Sequence, residues 1–390
     1  AQQAAIDATA NLQVELSVDD ILAAARERTG LADFGPDDFL ERLGLLVDEW
    51  GSDAAMRPLQ RLSLRNYLVR YCANRLLLQD LWTRHPEILE TPLPEPIIVA
   101  GLPRSGTTHL VNLLAADRRL RSLPLWESYE PVPLPGEALL ADGTDPRYQR
   151  CAEAWAGMQA TLPLLAAMHP MNPDHIHEEL ELMGPDFASY NFEWLSPSPR
   201  WRDHYYAHDQ TPHYEYMKNV LRTLTHFRGP ERWVLKCPQH MEQLPVLKQV
   251  FPDATVVITH RDPIAVIQSS VTMIAYGARM RLSRIDTEGL MQYWSDRIEH
   301  MLRACVGERA AWPASQSLDV YFHEFMADEM GTVARIHELA GNPLPEDVRA
   351  DLQRFLADHP RGKEGRVVYD MKRDFGIEPE ALRGQLKFYY

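Results

Sequence analysis

Three observations predict an α/β fold: a central parallel sheet flanked by helices, behind a helical N-terminal region. Short apolar runs occur at residues 97–100, 233–236, 254–259 and 317–322; segments of helical periodicity separate them; and the runs pass straight into polar residues. Runs apolar on both faces read as strands covered from both sides, and strands alternating with helices read as parallel crossovers. In such sheets ligands gather beyond the strand C-terminal ends.

Residues 17–90 are expected to be helical. Ser17 stands before VDDILAAARERT as a cap and Gly30 after it as a stop, Pro36 and Asp37 open a second helix, and the stretch from residue 59 repeats Leu, Tyr and Val at helical spacing. The arginines between those apolar residues read as a solvated face. LETPLPEPI then forms a proline-rich linker. This divides the chain into a helical region, residues 1–92, and an α/β core, residues 93–390.

The strand at 97–100 opens directly into GLPRSGTT, residues 101–108. The spacing is that of the phosphate-binding P-loop G-x-x-x-x-G-K-S/T, with Thr107 where the lysine should stand. Gly106 lets the backbone approach an oxyanion, and the helix that follows turns its positive end to the same place. Arg104 adds charge, and the hydroxyls of Ser105, Thr107 and Thr108 are candidate donors.

Beyond the loop, residues 123–146 are proline-rich and irregular, as a wall of a binding site can be, and residues 151–170 are helical and rich in Met, Leu and Ala. Met158, Leu162, Leu164, Leu165 and Met168, with Met273, Ile274 and Tyr276, are candidates for an apolar acceptor pocket. His169 joins them as a substrate-side candidate. Asp174 is placed to cap a helix ending near Gly184 and Pro185, and its periodicity leaves open whether Glu178 or Glu179 faces inward. Lys236 ends its strand on the ligand edge, with His240 four residues on. Glu178, Glu179, His169 and His240 are therefore all candidate bases. After the strand at 254–259, Arg261 leaves the sheet, Asp262 can cap the next helix and Pro263 fits its first turn. Ser269 returns to that helix face about two turns on, so Arg261 and Ser269 can grip one phosphate from two directions.

The net charge of −15 argues against nucleic acid as a partner and requires any anionic ligand to be held by a local basic pocket. Four cysteines without C-x-x-C spacing and no N-x-S/T sequon give no support for a secreted protein or a zinc site. No apolar run approaches the ~18 residues of a membrane span, and a cytoplasmic protein without a metal is expected.

The two anion sites together resemble those of the PAPS-dependent sulfotransferases, in which a P-R/K-S-G-T-T loop binds the 5'-phosphosulfate and a spaced Arg/Ser pair binds the 3'-phosphate. Residues 103–108 match the first motif, and Arg261 and Ser269 the second. MHP, LKCPQH, HRDP and GRVVYDMKRDFGI look like the bacterial enzymes related to lipid and polyketide sulfotransferases. The resemblance implies PAPS as donor, PAP as product, and a small-molecule hydroxyl as acceptor. It places the acidic catalytic residue at Glu178; His240 is the second candidate, and the chemistry of sulfuryl transfer makes Arg104 and Lys236 the natural charge stabilisers. The resemblance also makes Lys363 and Gly365 in RGKEGR candidates for a basic loop closing over the 3'-phosphate. Three features depart from the steroid and phenol enzymes: an arginine stands in place of the loop lysine, Phe322-His323-Glu324 in place of Y-E-D, and only Thr332 and Val333 remain of a dimer motif. A nucleotide kinase or NTPase, and a non-catalytic PAPS/PAP-binding module, are the alternatives.

Overall fold

The computed structural model describes residues 1–360 and 367–390. The expected closing loop with Lys363 and Gly365 lies outside the described residues. Five parallel strands form the sheet: β1 (Ile97–Gly101), β2 (Leu120–Arg121), β3 (Arg232–Cys237), β4 (Thr255–His260) and β5 (Ser317–Tyr321), in the order β2-β3-β1-β4-β5. All four predicted strands are present. The two-residue β2 was not anticipated, because it is too short for a periodic signal.

Alternation along the strands separates two cores. Ile98, Ala100, Leu235, Val256 and Ile258 join one apolar cluster with residues of the helices Thr211–Arg228, Leu244–Val250, Pro263–Arg281 and Thr287–Glu308. Ile97, Val99, Val234, Val257 and Val320 join another, under the helices Thr107–Ala115, Glu329–Leu339 and Glu346–Asp358. Helices on both faces explain why the strands read as continuous apolar runs.

The predicted N-terminal helices form. Val18–Thr29 ends at Gly30 in the left-handed region, although the Ser17 side chain makes no capping bond. The helix Pro58–Arg84 packs its first half with Ile21, Leu43, Trp50, Phe187 and Phe192, and supplies Leu77, Leu78 and Leu81 to the sheet-side core. Gly184 lies against this helix so closely that a Cβ there would fall 2.2 Å from the Tyr71 ring.

Two arginines of Pro58–Arg84 depart from the expected solvated face, while Arg84 keeps it. Arg75 is buried, pairs with Asp186 at 2.9 Å and donates to the carbonyls of Phe34 and Pro36. Arg70 pairs with Glu181 at 2.9 Å and stacks over Tyr129. Their carboxylate partners lie more than a hundred residues away in sequence, so helical periodicity alone could not reveal them.

A third buried cation, Arg297, donates from Nε to Glu193 at 2.7 Å and grips Glu242 with both terminal nitrogens at 2.5 and 2.6 Å, all three side chains being inaccessible to solvent. Burial pushes the Glu193 carboxyl up, and Arg297 pulls it the other way. Removing the arginine leaves two carboxylates in a dry interior. Arg297→Ala is therefore expected to destabilise the fold by about 3–5 kcal/mol, read from the urea midpoint. A change near zero would show that the interior tolerates the unpaired acids.

Candidate functional site

In-register pairing sets the site. Ala100 stands opposite Cys237, and Gly101 opposite Thr259, so β1, β3 and β4 end side by side. The loop after β1 takes positive φ at Arg104 (+66°) and Gly106 (+88°). Gly106 precedes the helix Thr107–Ala115, and a Cβ on it would come within 3.0 Å of the Phe322 ring. At Arg104 the same backbone region carries strain in a side-chain-bearing residue.

The loop hydroxyls divide. Ser105 is buried; its hydroxyl donates to the Leu102 carbonyl at 2.6 Å and meets the Thr259 hydroxyl at 2.9 Å, so it ties the loop to β4 instead of facing outward. Thr107 and Thr108 border a cavity of about 650 Å³, as do Pro103, Arg104 and Gly106.

Arg261 and Ser269 meet through Arg104. The Arg261 guanidinium donates to the Arg104 carbonyl at 2.5 Å and lies over the Phe322 ring at 4.2 Å. Arg104 Nε donates to the Ser269 hydroxyl at 3.0 Å, and its Nη1 to the Met168 carbonyl. Asp262 caps Pro263–Arg281 by accepting from the Ile264 N–H at 3.0 Å, as the sequence predicts. Burial and the neighbouring Arg104 charge hold Arg261 below the ordinary arginine pKa. Two like charges that oppose each other in a partly buried wall favour an anion nearby.

On the other side Lys236, inaccessible to solvent, donates through Nζ to Glu178 and to the Thr108 hydroxyl at 3.4 Å. Burial drives the Glu178 carboxyl up, but Lys236, His177 and His169 outweigh it and leave it below the ordinary value. Glu178 borders the cavity. Glu179 points behind, accepting from the Lys236 N–H at 2.9 Å. The helix expected from Asp174 begins only at Leu180; Asp174 accepts from the Tyr148 hydroxyl at 2.8 Å instead, so the two glutamates sit in a turn where helical spacing does not apply.

His240 is a correction. It is fully buried behind the site, with Nδ1 2.9 Å from the Tyr214 hydroxyl and Nε2 3.5 Å from Glu179. His169 does reach the cavity, as do His175 and His177, their ring centroids 5.4 to 6.1 Å apart. Burial lowers the His169 pKa to about 4, so its imidazole is neutral at physiological pH. Its Nδ1 lies 3.2 Å from the Pro170 carbonyl, which fixes that nitrogen as the donor. Among the described residues no group of three or more His, Cys, Asp or Glu side chains is arranged to hold a metal ion.

Of the apolar candidates, Met158, Leu162, Leu165, Met273, Ile274 and Tyr276 border the cavity. Met168 belongs instead to a small buried cluster with Leu162, Tyr276 and Met280, and Leu164 is exposed. Sequence reading missed Trp194, Tyr67 and Arg281 on the cavity wall. The histidine-rich HPMNPDHIH was the one available signal for His175 and His177.

Comparison with known proteins agrees with this geometry. The sulfotransferase family profile matches residues 96–346. The sulfotransferase STF1 from Mycobacterium tuberculosis H37Rv is similar in structure, with a TM-score of 0.82 at 27% identity over 96% of this chain and 99% of that one. The sulfotransferase STF9 from Mycobacterium avium gives 0.83 at 27% identity over 97% and 96%. No curated protein shows a significant match. Among the described residues, no helix is long and apolar enough to cross a membrane. These matches set aside the kinase and binding-module alternatives: the chain belongs to the sulfotransferase family and is a PAPS-dependent sulfotransferase.

Proposed function

We propose that the acceptor is an apolar small molecule whose hydroxyl is deprotonated by Glu178, with Arg104 and Lys236 stabilising charge on the departing phosphate. The observation that carries this reading is the position of Lys236, whose ammonium bridges Glu178 on the cavity wall and Thr108 at the start of the loop helix. One cation thus joins the base to the donor loop.

The residues fit the donor. The cradle at Gly106 is tight for a Cβ, the N-terminus of Thr107–Ala115 opens into it, and Arg104, Arg261 and Ser269 converge on its other side. Arg261 and Ser269 would hold the 3'-phosphate, and Gly106, Thr107 and Thr108 the 5' end. When bound, PAPS supplies an electrophilic sulfur with a phosphate leaving group. Transfer forms a bond from the acceptor oxygen to sulfur, breaks the bond from sulfur to phosphate oxygen, and sends the hydroxyl proton to Glu178, leaving PAP. Lys236 and Arg104 would stabilise the charge that develops on the departing phosphate. Met158, Leu162, Leu165, Met273, Ile274 and Trp194 surround the remainder of the acceptor and exclude water.

Calorimetry without magnesium is expected to show PAP binding more tightly than ADP, with Arg261→Ala losing roughly 10–100-fold in PAP affinity. Equal affinity of the wild type for both nucleotides would sink the 3'-phosphate site.

Glu178→Gln is expected to lower kcat by about 10²–10⁴-fold while leaving PAP affinity intact, measured as labelled sulfate transfer. Unchanged transfer would remove the base assignment.

Because the Glu178 pKa is lowered, the carboxylate is ready to accept a proton above that value and loses this capacity only as pH falls through it. The acid limb of kcat/KM should therefore lie below the ordinary glutamate range, with PAP binding over the same pH range as the control for unfolding. A limb near neutrality would assign the base to another group.

A further inference from the structure

We propose that Arg281 forms an anion subsite at the end of the acceptor cavity remote from the donor loop, and that the acceptor is an amphipathic hydroxy acid with a carboxylate opposite its reacting hydroxyl. The proposal rests on the preceding reading of this cavity as the acceptor site and names the chemical class that it takes.

The helix Pro263–Arg281 runs along the cavity as a ruler. Ser269, near its start, touches Arg104 of the donor loop; Met273, Ile274, Tyr276 and Gly277 border the cavity; and Arg281 is its last residue. Twelve residues separate Ser269 from Arg281, which is about 18 Å of helix. One element thus presents a polar end, an apolar middle and a cation in succession.

Arg281 is unlike the carboxylate-paired interior arginines. Arg70, Arg75 and Arg297 are each matched to a carboxylate. Among the described residues, Arg281 has no ion-pair partner, and its guanidinium makes no hydrogen bond; it lies over Gly277, 3.6 Å from where a Cβ would stand, with Tyr67 as a titratable neighbour. Its backbone carbonyl is held by the Arg57 N–H at 2.9 Å, which fixes the origin of the side chain. The negative end of the helix lowers the cost of a cation here, but no carbonyl accepts from the guanidinium, so its donors remain available.

Glu181 also borders the cavity and does not answer Arg281, because its oxygens are taken by Arg70 at 2.9 Å, the Tyr71 hydroxyl at 2.9 Å and the Asn191 amide at 3.0 Å. A planar guanidinium in a largely desolvated wall matches a carboxylate through two parallel hydrogen bonds, and an apolar chain can fill the space up to Lys236 and Glu178. A single negative charge suits the site better than a multiply charged group, given the −15 of the chain.

The test is calorimetry of ω-hydroxylaurate against dodecanediol in the presence of PAP, with wild type, Arg281→Met and Arg281→Lys. The acid is expected to bind wild type at least about tenfold more tightly than the diol. Arg281→Met should abolish that difference without altering the affinity for the diol or for PAP, and Arg281→Lys should restore part of it. Equal binding of acid and diol by wild type, or an equal loss for both in Arg281→Met, would overturn the subsite. Sulfate transfer to the bound acid is followed separately. An acid that binds through Arg281 but is never sulfated supports the subsite and counts against the acceptor reading of the preceding subsection.

Discussion

Parallel pairing of β1 with β3 on one side and β4 on the other is the constraint from which the site follows, because it brings three strand ends into line. β1 delivers the loop with Arg104 and Gly106, β3 delivers Lys236, and β4 delivers Thr259 and, just beyond it, Arg261. These three strand-end groups are far apart in sequence, yet the ladder leaves them little freedom. A one-residue slip of β3 would send Lys236 to the other face of the sheet, away from Glu178 and Thr108. The bond between the Ser105 and Thr259 hydroxyls ties the loop to this register, so the anion cradle and the sheet are one mechanical unit.

Charge is distributed against the global field. A chain carrying −15 gathers Arg104, Lys236, Arg261 and Arg281 on or beside a single cavity, where low dielectric strengthens each interaction. Their partners differ in kind. Lys236 is balanced by Glu178, so the pair can be held without a ligand, whereas among the described residues Arg261 makes no ion pair and its guanidinium meets a carbonyl oxygen and an aromatic face. The positive φ of Arg104 adds backbone strain of about 1–3 kcal/mol at the same place. A bound anion is what such an arrangement stabilises, and the unbound loop carries the cost.

Local signals made much of this legible from sequence. Four strands announce themselves as apolar runs; Gly106 and the Asp262-Pro263 start mark two helix N-termini; and the spacing of Arg261 and Ser269 on the turn and first helical turns brings both toward the loop. What stayed hidden depends on tertiary pairing. Whether Glu178 or Glu179 faces the cavity could not be read from helical spacing, because both precede the short helix Leu180–Met183. His240 looked like a site residue because it follows Lys236 closely, but the turn after β3 carries it behind the sheet edge onto Tyr214. Arg70 and Arg75 looked solvated because Glu181 and Asp186, which pair with them, come from a distant segment.

The loop itself explains why the usual phosphate-binding lysine is dispensable here. Thr107 occupies that position and is buried, so the helix start cannot carry its own cation. Lys236 supplies one from the neighbouring strand, reaching Thr108, the residue immediately after the missing lysine. A cation on the loop would be committed to the nucleotide alone. One that arrives across the β1–β3 pairing can touch the nucleotide side through Thr108 and the acceptor side through Glu178. Sulfuryl transfer demands charge stabilisation at the point where donor and acceptor meet, and in the proposed reading Lys236 on the adjacent strand supplies it.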